Sequence, residues 1–203
     1  MVRTVSLSAV ALVAWLACTA ASAGMTIEVP SGSAVLPDGQ CEASEWAGAR
    51  EVPLPDGVTL RLQQSPDFLY LCIQPRQPAW FGVDLYIARR GEAPFNLHAS
   101  AKLGERVWKA DRWSDFVWWD QSGWVANTSR GVVFERREFL PDRAKEIQVS
   151  RARLGAQPFQ LMVEIHGERS VVAPEQSRSD QPGGWFTVSF GQQLSAPPAQ
   201  AAR

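Results

Sequence analysis

At 203 residues, with a formal net charge of −1 and no run of basic residues, the chain is sized for one domain and lacks the footprint that nucleic acid or an anionic membrane surface demands. No stretch approaches the ~18 consecutive apolar residues of a transmembrane helix. A domain of this size buries roughly 70% of its unfolded surface, so a packed core is expected.

Arg3, the apolar run Leu7 to Cys18, and Ala21-Ser22-Ala23 ahead of Gly24 have the order of a secretory signal peptide over residues 1–23. The remainder is expected to be periplasmic or secreted, and its formal charge becomes −2 when Arg3 is lost. Cys18 would invite lipidation, but Trp15 stands where a lipobox wants Leu. Cys41 and Cys72 remain, and an even pair in an exported chain is read as a disulfide. Closing a loop of about 30 residues is worth about 3–4 kcal/mol. A metal-binding or nucleophilic thiol pair would want a histidine nearby, and none is adjacent.

The segment Pro37 to Arg50 reads PDGQCEASEWAGAR. Asp38-Gly39 is a turn dipeptide, and Glu42 to Ala49 is expected to form one short helical turn anchored by Trp46. Leu69-Tyr70-Leu71-Cys72-Ile73 alternates and reads as a strand. Strands are expected at Val58 to Leu62, Phe68 to Gln74, Phe81 to Arg89, Phe95 to Lys102, Arg106 to Trp108 and Phe116 to Trp119. Further strands are expected at Trp124 to Thr128, Val132 to Phe139, Glu146 to Ser150, Phe159 to His166, Ser170 to Ala173 and Trp185 to Phe190. Turn residues punctuate them every 8–12 residues or so, which predicts an all-β antiparallel sandwich of jelly-roll type over residues 24–191. The Pro- and Ala-rich stretch 192–203 is expected to be a disordered tail.

The order Asp38-Gly39, Glu42, Glu45-Trp46, Ala49, then Leu69-Tyr70 and Ile73, resembles the opening of the family 9 carbohydrate-binding modules and their DOMON-like relatives. Asp84-Leu85-Tyr86-Ile87, and Glu146 to Arg151 with Leu154, resemble later segments of that superfamily. The resemblance implies a non-catalytic β-sandwich that clamps a sugar between tryptophans, with calcium as an occasional structural ion. It also implies a second function class, haem binding, for which Met162 with His98 would be the axial pair.

Arg106 to Trp124, RVWKADRWSDFVWWDQSGW, interleaves indoles with acids. Sugar rings pack on flat aromatics while carboxylates and amides take their hydroxyls, so Trp108, Trp113, Trp118, Trp119 and Trp124, with Asp111, Asp115 and Asn127, form the candidate saccharide site. Trp80 is a candidate lip. Trp113 and Trp124 border turns and are the foremost surface candidates, whereas alternation puts Phe116 with Trp118 on one face and one indole of Trp118-Trp119 in the core. Packing alone, or contact with a protein partner, is the competing reading of the same cluster. No catalytic motif, P-loop or D-x-D-x-D-G calcium loop is present, and no metal ligand set is assigned. Asn127-Thr128-Ser129 has the form of a glycosylation sequon.

Overall fold

The computed structural model describes residues 24–129, 131–133 and 138–191, so the signal-peptide and tail expectations lie outside the described residues. The strands are β1 (Thr26–Val29), β2 (Arg50–Pro53), β3 (Thr59–Gln64), β4 (Phe68–Gln74), β5 (Gly82–Ala88), β6 (Phe95–Ala99), β7 (Leu103–Lys109) and β8 (Arg112–Trp113). They continue as β9 (Val117–Trp118), β10 (Trp124–Ala126), β11 (Gly131–Val133), β12 (Glu138–Phe139), β13 (Lys145–Ser150), β14 (Phe159–His166), β15 (Val171–Ala173) and β16 (Phe186–Phe190). One α-helical turn, α1 (Arg151–Leu154), follows β13.

Two sheets form the sandwich that the alternation predicts. The larger runs β1-β16-β14-β5-β6-β7-β8, with β15 beside β14 and β9 beside β7; the smaller runs β10-β13-β4-β3-β2, and among the described residues β11 pairs only with β12. Pairing is antiparallel except between β1 and β16. Val83, Leu85, Ile87, Leu161 and Val163 of the larger sheet meet Leu60, Leu62, Leu71, Ile73 and Val149 of the smaller one in a continuous buried core. Each such aliphatic side chain contributes about 1.5–3 kcal/mol when fully buried.

The segment before β2 covers the outer face of the smaller sheet, where Val35, Cys41 and Trp46 pack on Tyr70, Cys72 and Ala144. The Cys41–Cys72 disulfide ties this cover to β4, with a Cα–Cα distance of 6.2 Å. Glu146 of β13, only 1% exposed, supplies the polar half of the same fastening. It accepts from the backbone N–H groups of Asp38 (3.1 Å) and Gly39 (2.7 Å) and from the Trp46 indole (3.0 Å). Gly39 adopts φ +83°, and a β-carbon there would meet the Asn127 amide at 2.6 Å, so only glycine fits the approach. Burial pushes the Glu146 carboxyl up, against the Trp46 and Gly39 hydrogen bonds that pull it down.

The helical turn expected at Glu42 to Ala49 is present as one i→i−4 turn within a succession of hydrogen-bonded turns. The N–H groups of Glu45 and Trp46 both donate to the Glu42 carbonyl, and Ala49 to that of Trp46. Cys41 at φ +52° and Gly48 at φ +86° bound the segment on either side. The strand expected at Val132 to Phe139 is two short strands, and its residues 134–137 lie outside the described ones. No helix of the described residues is long and apolar enough to cross a membrane.

Candidate functional site

Because odd-numbered residues of β5 point into the core, Asp84 and Tyr86 point away from the smaller sheet. The ladder registers then align side chains from five strands on that outer face. Glu164 stands opposite Asp84, Asp84 opposite His98, His98 opposite Gly104 and Gly104 opposite Trp118. The next row holds Met162, Tyr86, Asn96 and Arg106.

Asp84, 4% exposed, is the hub of the first row. His98 Nδ1 lies 2.8 Å from its Oδ1 and His166 Nε2 lies 2.7 Å from its Oδ2, so one carboxylate orients both histidines of the chain. The other nitrogen of His98 faces the Ser100 hydroxyl at 2.9 Å. Tyr86 donates to Glu164 Oε2 at 3.1 Å and accepts from Arg106 at 3.1 Å, and Arg106 also donates to Asn96 at 3.0 Å.

Burial alone would raise the Asp84 carboxyl, but hydrogen bonds from His166 and His98 outweigh it and hold the group well below the carboxylate range. Burial, with the Asp84 and Glu164 charges, pushes the Tyr86 phenol up. The hydrogen bond to Asp84 raises His166 against partial burial, with Glu164 adding to the rise and Arg106 opposing it.

These shifts have a definite sign in stability. A raised His166 stabilises the fold fully below its unfolded value near 6.5 and loses that contribution as pH rises through the folded value. A lowered Asp84 contributes above its ordinary 3.8 and loses its effect only as pH falls toward the folded value. The pair therefore supports the fold best between about pH 4 and 6.5. His166 is 44% exposed, so solvent screening keeps the effect small. Calorimetry is expected to show the wild type losing a few degrees of Tm from pH 6 to 8 relative to His166→Gln; parallel pH profiles would refute the coupling.

An aromatic wall borders the rows. The Arg106 guanidinium lies 4.5 Å from the Phe116 ring and 5.2 Å from the Trp113 ring. Phe116 stacks on Trp118 at 4.8 Å with 25° between planes, and Trp118 meets His98 edge-on at 5.8 Å. Trp118 lies so close to the sheet that a β-carbon on Gly104 would stand 2.7 Å from its ring. Trp108 packs edge-on against Trp113 and borders a groove of about 600 Å³ that Arg89, Gln160 and Asp180 also line.

Trp108 and Trp113 pack together, Trp118 joins them through Phe116 and Arg106, and Trp113 is half-buried and donates to Ser179. Trp124 is corrected: it is 4% exposed in the core, where its indole donates to Glu105 at 3.1 Å. Bordering a turn did not expose it, because β10 faces inward and Glu105 lies on the core side of β7. The expectation that one of Trp118 and Trp119 is core is also corrected. They are 44% and 56% exposed, since β9 is a two-residue edge strand that packs outward on Gly104. Asp111 and Asp115 are exposed near the β7–β8 turn. Asn127 belongs to the other sheet, where it accepts from the Glu146 N–H and donates to the Ala144 carbonyl. Trp80, 61% exposed, borders a separate depression of about 400 Å³ with Arg76 and Arg169.

The haem pair does not fit this geometry. Met162 is 1% exposed and packed among Tyr86, Ala88 and Trp185, and His98 turns both nitrogens to Asp84 and Ser100.

Sequence reasoning missed the grouping of Asp84, Glu164, His166, Tyr86 and Arg106. Its signal was a polar residue at alternate positions of otherwise apolar strands: Asp84 in VDLYIA, His98 in FNLHA, and Glu164 with His166 in MVEIH.

No protein-family model matches the chain, and no curated protein matches it. Among solved structures, a proposed carbohydrate-binding protein from Bacteroides uniformis ATCC 8492 is similar, with a TM-score of 0.55 and 13% identity. The match covers 83% of this chain and 100% of that one, and at this identity it is a likeness of fold.

Proposed function

We propose that the chain is an exported, non-catalytic saccharide-binding domain whose site is the outer face of the larger sheet around Trp118. The observation that carries the reading is an exposed indole seated against Gly104 and stacked on Phe116, in the same sheet row as Asp84, His98 and Glu164. An apolar ring face beside fixed acceptors and donors is what a pyranose presents in complement. Lys102, whose ammonium lies 5.5 Å from the Trp118 ring, and Arg106, beside Phe116, supply the nearest hydroxyl partners, and Trp108 with its groove extends the face toward a second sugar unit. The likeness to a proposed carbohydrate-binding protein supports the same reading.

The test is tryptophan fluorescence during titration with a panel of mono- and oligosaccharides. Trp118→Ala is expected to weaken the responding sugar about tenfold or more while leaving Tm within a few degrees. Gly104→Ala, which adds only a methyl group, is expected to weaken it comparably by lifting Trp118 from the sheet. Full binding by both variants would sink the assignment of the site.

One observation favours a second reading. Val117 and Trp118 of the edge strand β9 and Trp119 just after it are apolar and 55%, 44% and 56% exposed, which suits a docking surface for another protein. Self-association or complex formation abolished by Val117→Asp, with no sugar response in any titration, would select it.

A further inference from the structure

The corner where β14 and β5 leave the first row has a feature that sugar recognition does not require. Asp84, Glu164 and His166 each offer one ligand atom, and the three atoms lie within 4.8 Å of one another. Each carboxylate has one oxygen tied from behind: His98 holds Asp84 Oδ1 at 2.8 Å, and Tyr86 donates to Glu164 Oε2 at 3.1 Å. The remaining oxygens both turn to the His166 ring. Asp84 Oδ2 lies 2.7 Å from Nε2, and Glu164 Oε1 lies 3.9 Å from Nδ1. Outer partners that fix one oxygen and aim the other are the usual support of ligating carboxylates.

We propose that Asp84, Glu164 and His166 form a binding site for a divalent transition-metal ion of the zinc type. One imidazole nitrogen with two carboxylate oxygens suits zinc, manganese or ferrous iron better than calcium, which takes six or more oxygens. Donors bound at about 2.0–2.2 Å in tetrahedral geometry stand roughly 3.3 Å apart, against the 4.8 Å within which these three atoms lie, so the His166 ring must turn to bring one nitrogen to both oxygens. His166, 44% exposed at the end of its strand, has room to turn, and its open side leaves a fourth position for water or a ligand oxygen. The ion would also offset two carboxylates that share one corner with a single guanidinium, that of Arg106, linked through the Tyr86 hydroxyl. This inference stands apart from the saccharide reading, and no sugar enters its test.

The experiment is calorimetric titration of the chelator-treated protein with Zn²⁺ alone. One equivalent is expected to bind saturably and to raise Tm. His166→Gln, which retains an N–H donor for Asp84, is expected to weaken binding at least tenfold, as is Glu164→Gln, which retains the acceptor for Tyr86. Glu168→Gln, an exposed neighbour, is expected to leave it unchanged. The absence of saturable binding, or equal binding by His166→Gln and Glu164→Gln with their wild-type fold intact, would overturn the site. Either result leaves the sugar titration of Trp118→Ala to be judged by itself.

Discussion

Glu146→Ala is expected to lower the melting temperature by about 10 °C or more, measured by scanning calorimetry. The side chain is 1% exposed and accepts three hydrogen bonds, from the N–H groups of Asp38 and Gly39 and from the Trp46 indole. Truncation leaves these donors without their carboxylate in a closed environment, at about 1–3 kcal/mol for each group that water cannot reach. Allowing for partial relaxation, the total is about 4 kcal/mol, and about 2–4 °C of Tm accompanies each kcal/mol in a domain of this size. Trp46→Phe provides the scale, because it removes one of the three donors and preserves an aromatic anchor; about 1–2 kcal/mol is expected. If Glu146→Ala costs no more than Trp46→Phe, the carboxylate is not what fastens the N-terminal cover.

Reduction of the Cys41–Cys72 bond is expected to have an effect of similar size. The bridge spans 31 residues in sequence, and releasing such a loop costs about 3–4 kcal/mol through the freedom returned to the unfolded chain. Calorimetry with and without reductant, alongside a thiol titration confirming two free cysteines, measures it. An unchanged Tm in fully reduced protein would show that the Glu146 fastening alone holds the cover. Both fastenings grip the same cluster of Val35, Trp46, Tyr70 and Ala144, so reducing the disulfide in Glu146→Ala should cost less than reducing it in the wild type.

The sandwich was legible in the sequence because its central strands carry their own evidence. β4, β5 and β14 alternate strongly, and turn residues separate them. β1 and β2 were not anticipated: TIEV and REVP are four residues each and owe their strand state to neighbours remote in sequence. α1 was missed for a related reason, since RARL buries only Leu154 and its helical state ends at once in Gly155 at φ +78°. Composition singled out the aromatic part of the candidate site, and local pattern sorted its exposure imperfectly. Trp113 and Trp124 border similar turns, yet the sheet to which each neighbouring strand belongs sends one outward and the other into the core. The Asp84 hub depended wholly on register, because His98 and His166 lie on different strands and meet only through a carboxylate between them.

The parallel pairing of β1 with β16 bears on the timing of folding. Thr26 finds its ladder partner at Thr187, and β1 has no other strand ladder among the described residues. Hairpins such as β3–β4 and β5–β6 can close within a few dozen residues as the chain lengthens, but the first strand must wait for the last. Closing so wide a loop slows assembly more than it weakens the product, since the entropy grows only with the logarithm of length. Until that closure, Ile27 and Val29 lack their seat against Val188 and Phe190, so the larger sheet is completed only when both ends of the domain arrive together.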